Sequence, residues 1–113
     1  THKKWFNRIL NDDTTGFMVL EYGQDIIGQL RFDFDEKYPV ISISLNKKYR
    51  GLGLSKYLLN NGINYIKENY NQNTLIADIK KSNARSISFF EDMGFKKEYE
   101  IRNGSALRFI YRG

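Results

Sequence analysis

The chain is expected to be an α+β domain on a mixed, mainly antiparallel sheet, and three observations predict this. Between Phe17 and Leu45, three short β-patterned runs are separated by polar turns, the signature of consecutive hairpins. Val40–Leu45, the apolar-striped segment Leu54–Tyr70 and Thr74–Lys80 then read as strand, helix and strand, and such a unit closes as a parallel crossover. A shorter helical pattern and two last strands around Asn103-Gly104 complete the order. With 113 residues, 41% hydrophobic and 15% aromatic, the sequence is long and apolar enough for one domain with a real core.

Each element has its own local reason. Trp5, Phe6, Ile9 and Leu10 fall at helical spacing, so Thr1–Leu10 is expected to be an amphipathic helix packed on the sheet. Phe17–Tyr22 and Ile26–Phe34 are strand candidates around the turn Gly23-Gln24-Asp25. Val40–Leu45 alternates, with Ile41, Ile43 and Leu45 on one face and Ser42 and Ser44 on the other. Leu54, Leu58, Leu59, Gly62, Ile63, Ile66 and Tyr70 form one stripe of the long helix. Ser82-Asn83 is a cap signal for a helix over Ala84–Met93, and Gly94 is placed to stop it. Phe95–Arg102 and Ala106–Arg112 are the final strands.

Composition excludes several chemistries. Without cysteine there is no disulfide, thiolate nucleophile or thiolate metal site. The single histidine, His2, speaks against a histidine-based metal centre or triad, and no metal is expected. No apolar run approaches the ~18 residues needed to span a membrane, and no signal-peptide pattern is present, so elimination points to a cytoplasmic protein. The net charge of +5 suits a phosphate-rich ligand or a solvated surface.

The stretch richest in chemistry is Asn46–Leu59, NKKYRGLGLSKYLL. Lys47, Lys48 and Arg50 precede two glycines, Gly51 and Gly53, and the long helix follows directly. Glycine lets a ligand approach the main chain, and the uncapped N–H groups and positive dipole end of a helix attract anions. Strand, cationic glycine turn and helix N-terminus together predict a phosphate cradle. The pattern is neither GxxxxGK[ST] nor GxGxxG.

The segment Arg50-Gly51-Leu52-Gly53-Leu54-Ser55 resembles the pyrophosphate loop of the GNAT superfamily of N-acyltransferases, [QR]xxGx[GA], with Ser55 departing at the last position. A second stretch, Asn83-Ala84-Arg85-Ser86 through Phe90-Glu91 to Gly94-Phe95, is similar to that family's Asn-x-x-[AS] and Tyr-Glu-x-x-Gly-Phe pattern. The order of elements is also similar, from the family's second helix onward. Its first strand and first helix would precede Thr1, so residues 1–113 are expected to be a single, N-terminally short domain with helices on both faces of the sheet.

The resemblance implies acetyl-CoA as co-substrate. Its pantetheine arm would lie along Ile43, Ser44 and Leu45. Its pyrophosphate would be wrapped by Arg50, Gly51, Leu52, Gly53, Leu54, Ser55 and Lys56, with Asn83 and Ser86 beside the arm. Phe90 stands where many members carry the tyrosine that protonates the departing thiolate. Phenylalanine has no proton to give, which leaves Tyr57, Tyr99, Tyr111 or water. Asp78 stands where some members carry a base, and shares a strand face with Ile76 and Lys80; Asp33, Asp35 and Glu36 are further carboxylates near a hairpin end.

The reaction implied is direct acetyl transfer to a small-molecule primary amine, with no membrane or nucleic-acid partner and a monomer or homodimer as the working form. An amino sugar, free or nucleotide-linked, is the favoured acceptor, because GQLRFDF and IKKSNARSISFFEDMGF resemble domains of surface-polysaccharide and nonulosonic-acid pathways. A peptide α-amine or a polyamine stays open. Two rivals from other classes are a catalytically silent acyl-CoA-binding module and a small basic nucleic-acid-binding domain. The latter has no recognisable RNA-binding motif behind its charge.

Overall fold

The computed structural model describes the backbone of residues 5–11 and all atoms of residues 14–113. Among these, strands β1 (Trp5–Asn11), β2 (Thr15–Tyr22), β3 (Asp25–Asp33) and β4 (Val40–Leu45) lead to helix α1 (Leu54–Tyr70). Then come β5 (Thr74–Lys80), α2 (Ala84–Asp92), β6 (Lys96–Ile101) and β7 (Ala106–Arg112). The strands form one sheet in the order β1-β2-β3-β4-β5-β7-β6. Every neighbouring pair is antiparallel except β4 and β5, which the α1 crossover makes parallel.

The helix expected over Thr1–Leu10 is not formed over its described residues, 5–10. Its described part, Trp5–Asn11, is β1, in antiparallel register with β2 from Trp5↔Tyr22 to Asn11↔Gly16. A free edge of β2 offers a row of unpaired backbone groups, whereas a lone helix of under ~12 residues is marginal in water. The ladder wins over a short periodicity. His2 lies outside the described residues.

Alternation fixes which face is buried. Leu30 and Phe32 pair with Ile43 and Ile41, and Ile41 pairs with Ala77, so these side chains share one face with Leu75 and Ile79. Leu58, Leu59 and Ile66 of α1 and Phe90 of α2 close over that face, and with Phe95 and Phe109 they make one core. Both helices lie on it; the second helical layer expected from Thr1–Leu10 is not found among the described residues. At its far end α2 stops at Gly94 (φ 94°), where Phe95 N–H bonds Phe90 C=O at 2.9 Å.

What positions the site is the incompleteness of the β4–β5 ladder. Only Val40↔Ile76 and Ile41↔Ala77 are paired, whereas β3–β4 runs to Gly28↔Leu45 and β5–β7 along all of β5. Past Ile41 the two strands part.

Helix α1 can sit this close to β3 only because residue 62 is glycine. A Cβ there would fall 2.0 Å from Leu30 Cδ2 and 3.6 Å from Phe32 Cε1, both fully buried. Gly62→Ala is therefore expected to destabilise the fold by ~1–3 kcal/mol through overpacking, read from chemical denaturation midpoints. An unchanged midpoint would show that the helix is not seated on Leu30.

Candidate active site

Between the parted strands and the two helix N-termini lies a groove. Its larger part, about 740 Å³, is lined by Ile43, Leu45, Arg50, Gly51, Ser55, Asn83, Arg85, Ser86 and Phe89. A smaller part of about 250 Å³ shares Leu45, Gly51, Ser55 and Phe89 and adds Gly53, Leu54, Lys56, Asp92 and Met93. Alternation puts Ile43 and Leu45 on this side of β4, and the two helices bring the rest.

The cationic turn is held from below. Asn46 accepts from Lys48 N–H at 3.1 Å and starts a short 3-10 turn over Lys47–Tyr49. Its own N–H donates to Ile27 C=O at 2.7 Å. The Tyr49 hydroxyl donates to Asp25, the first residue of β3, at 2.7 Å, and that bond raises the phenol above its ordinary pKa. Gly51 (φ 82°) and Gly53 (φ 75°) then take left-handed conformations that side chains resist. Gly53 caps α1 without any side-chain hydrogen bond, and no acidic residue lies in the first turn. The leading N–H groups of α1 thus have no side-chain partner and face a groove lined by Arg50 and Arg85, a setting that selects anions.

Helix α2 is capped differently. Asn83 accepts from Ser86 N–H at 3.1 Å, which sets the helix start at the groove wall. Asn83, Ser86 and Phe89, spaced by three, line the groove along one edge of α2. Phe90 turns inward instead. It is buried, with its ring 4.9 Å from Phe95 and 5.2 Å from Phe89, and it does not line the groove.

Of the predicted cofactor residues, the structure brings Ile43, Leu45, Arg50, Gly51, Gly53, Leu54, Ser55, Lys56, Asn83 and Ser86 to the groove. Leu52 stands 66% exposed at the tip of the turn, outside the lining. Ser44 faces the other side of the sheet with Gln29, its β3 partner. Arg85, Phe89, Asp92 and Met93 were missing from the sequence reading. Their signal is the helical spacing from Asn83 and Ser86, which continues to Phe89 and Met93. Tyr57, Tyr99 and Tyr111 are all absent from the lining: Tyr57 is exposed on α1, Tyr99 on β6, and Tyr111 packs against Phe95 at 5.3 Å.

Asp78 is the first residue of β5 beyond its pairing with β4, and it lies on the face away from the helices. Arg108 of β7, its cross-strand partner, donates Nε to Oδ1 at 2.8 Å and Nη2 to Oδ2 at 2.9 Å. The same guanidinium reaches Glu36, ahead of β4, through Nη1 at 2.8 Å and Nη2 at 3.0 Å. The Asp78 and Glu36 carboxylates hold Arg108 above its ordinary pKa. Hydrogen bonding from Arg108 in turn lowers that of Glu36 below 4.5. Asp33 accepts from Thr15 and Arg31, both at 3.2 Å, and Asp35 is exposed.

A split parallel pair, a cationic glycine turn into an uncapped helix and an asparagine-capped second helix define the fold class of the acyltransferases. The sequence profile of the acetyltransferase (GNAT) family matches residues 1–95, and the chain belongs to that family. Two curated archaeal relatives bear the name N-alpha-acetyltransferase. One, from Sulfurisphaera tokodaii, is 25% identical over 112 residues, covering 88% of this chain and 67% of that protein. The other, from Saccharolobus solfataricus, is 28% identical over 95 residues, covering 82% and 56%. Among solved structures, a spermidine N-acetyltransferase mutant from Vibrio cholerae superposes with a TM-score of 0.79 at 18% identity, covering 89% of this chain and 66% of that one. A dodecameric form of the Vibrio cholerae enzyme gives 0.74. The chain thus spans about two thirds or less of the length of these proteins. The superpositions confirm the fold class read from the sequence. No helix among the described residues is long and apolar enough to cross a membrane.

Two outcomes follow from the site's geometry. Asn83→Ala removes the α2 cap and is expected to lower stability by ~1 kcal/mol, seen as a shifted denaturation midpoint; Asn83→Asp, which keeps an acceptor, should restore most of it. Because folding lowers the Glu36 pKa, its contribution is complete above 4.5 and disappears as pH falls through the lowered value. Glu36→Gln should therefore lose less stability than the parent between neutral pH and acid, a comparison made by denaturation at several pH values. Identical acid slopes for the two would count against the ion pair.

Proposed function

We propose that this chain transfers an acetyl group from acetyl-CoA to a primary amine. The observation that carries the reading is the groove itself. It is long and open-sided, apolar where Ile43, Leu45 and Phe89 line it and cationic where Arg50 and Arg85 meet the N-terminus of α1. A CoA ester is built to the same plan, with a diphosphate at one end and an amide-bearing arm leading to a thioester. The residues present fit it. Arg50 and the amides around Gly51–Lys56 would hold the diphosphate, and the free edge of β4 past Ile41 offers backbone groups to the amides of the arm.

Bound acetyl-CoA supplies the activated acyl group; the chain's part is to hold, orient and deprotonate. Acyl transfer forms a carbon–nitrogen bond, breaks the carbon–sulfur bond and takes two protons from an amine that arrives as ammonium, one to the base before attack and one to solvent as the amide forms. Asp78 is the proposed base, because it stands at the root of the split on the face opposite the groove. Each of its oxygens keeps a lone pair beyond its bond to Arg108. With Phe90 buried and no tyrosine in the lining, the departing thiolate takes its proton from water, which a thiol of ordinary acidity allows.

For the acceptor, the names of the relatives and structural neighbours favour a peptide α-amine or a polyamine. The amino-sugar acceptor favoured by the sequence finds no support among them. One domain over residues 1–113 and a soluble amine partner are parts of the same proposal.

Calorimetry with acetyl-CoA and thiol release across peptide, polyamine and amino-sugar amines test it. Arg50→Ala should weaken acetyl-CoA binding about tenfold, the loss of one charge-assisted contact. Asp78→Asn should lower turnover at neutral pH by about a hundredfold while leaving acetyl-CoA affinity alone. Absence of acetyl-CoA binding in the parent chain would end the proposal.

A further inference from the structure

Arg108 lies beyond the residues matched by the family profile, which stop at 95, yet it makes the densest polar contact among the described residues. Its side chain is 14% exposed and that of Asp78 10%, so the pair is largely withdrawn from water. Glu36, by contrast, is 48% exposed and comes from the turn between β3 and β4. One guanidinium therefore joins three elements: β7, which carries it; β5, through Asp78; and the β3–β4 turn, through Glu36. Tyr99 of β6 stands opposite Arg108 in the register.

The placement is what makes this more than a surface ion pair. Asp78 is the first β5 residue after the β4–β5 pairing ends, and the Glu36 turn leads straight into β4, whose far end leaves β5. Arg108 thus binds together the two chain segments whose separation creates the split, on the face opposite the groove. A guanidinium fork with both edges occupied fixes direction as well as distance, which an ammonium on a flexible stem does not. A half-buried pair of this kind is weak evidence for stability, since its partial desolvation offsets its attraction. Geometry is what it supplies.

We propose that Arg108 is a positioning residue for the acceptor side of the reaction: it sets the Asp78 carboxylate and the Glu36 turn around the point where an amine would enter the β4–β5 split. The inference rests on the acyl-transfer reading above. Neither Arg108 nor Glu36 lines the cofactor groove, so their loss should be felt by the amine and not by acetyl-CoA.

The test uses Glu36→Gln, Arg108→Lys and Arg108→Gln in the whole chain, with spermidine and a short peptide with a free α-amine as acceptors. Glu36→Gln leaves the Arg108–Asp78 pair intact and should raise KM for the amine roughly tenfold with kcat held. Arg108→Gln should lower kcat/KM for the amine roughly a hundredfold, with Arg108→Lys between it and the parent; acetyl-CoA Kd should be unchanged throughout. A merely structural role would reduce the folded fraction, so kcat would fall with both KM values unmoved, and that pattern overturns the proposal. Should Arg108→Gln not fold, Glu36→Gln decides alone: an unchanged amine KM refutes the assignment. A parent chain that binds acetyl-CoA but releases no thiol with either acceptor also refutes it. Failure of the parent to bind acetyl-CoA at all removes the underlying reading as well, so the two failures are separable.

Discussion

A parallel ladder that stops after two pairs is the constraint on which the rest of this molecule depends. Strand β4 is paired along its whole length with β3, but it leaves β5 after Ile41. Backbone groups at a strand edge need partners, and leaving them unmet in an enclosed place is costly. A split in the middle of a sheet is therefore an unfinished hydrogen-bond surface. It suits an extended ligand that carries amides of its own. The chain places its cationic turn and the uncapped start of α1 directly at the open end, so the same break that frees strand amides also exposes helix amides.

Such a break has to be held open by packing on either side. On one side, α1 is locked to β3 through the Gly62 contact with Leu30, so β4 and the turn after it move with the helix. The other side relies on aromatic rings: Phe90, Phe95 and Tyr111 stack in sequence beneath α2, while β5 and β7 pair end to end. Edge-to-face and tilted rings at these separations add to their burial. The turn itself is tied back to the first half of the sheet by Tyr49 and Asp25. Each half is packed within itself, and the split is the seam between them.

Much of this was legible in the sequence because the signals were local. Val40–Leu45, α1, β5 and β7 have the boundaries expected of them, since alternation, a wide apolar stripe and an Asn-Gly turn each act within a few residues. Thr1–Leu10 failed for the opposite reason: four apolar residues suit a helix face, but the free edge of β2 lies far from that pattern's reach. Ser44 could have been excluded by the alternation that places Ile43 and Leu45 together. Likewise, Phe90 follows Phe89 by one helical step, and 100° of rotation carries it from the groove into the core. Arg108 was illegible because its meaning comes from Asp78 and Glu36, which no spacing in the sequence connects to it.

The charges of the site also divide along the split. Arg50, Lys56 and Arg85 lie on the groove side, where a diphosphate would sit. On the other, Asp78 and Glu36 share a single guanidinium, so this three-residue cluster carries one negative charge in excess, with Lys80 two residues away on the same strand face. An amine at neutral pH arrives as an ammonium ion and has to become neutral before it can attack. A carboxylate side attracts the form that abounds, and a carboxylate at the root of the split can then receive its proton. Over the few ångströms that separate the faces of a sheet, opposite fields of this kind are little screened by salt. The protein's overall positive charge therefore says little about its acceptor: on the proposed reading the carrier meets the cations of the groove, and the acceptor meets the local carboxylate excess of Asp78 and Glu36.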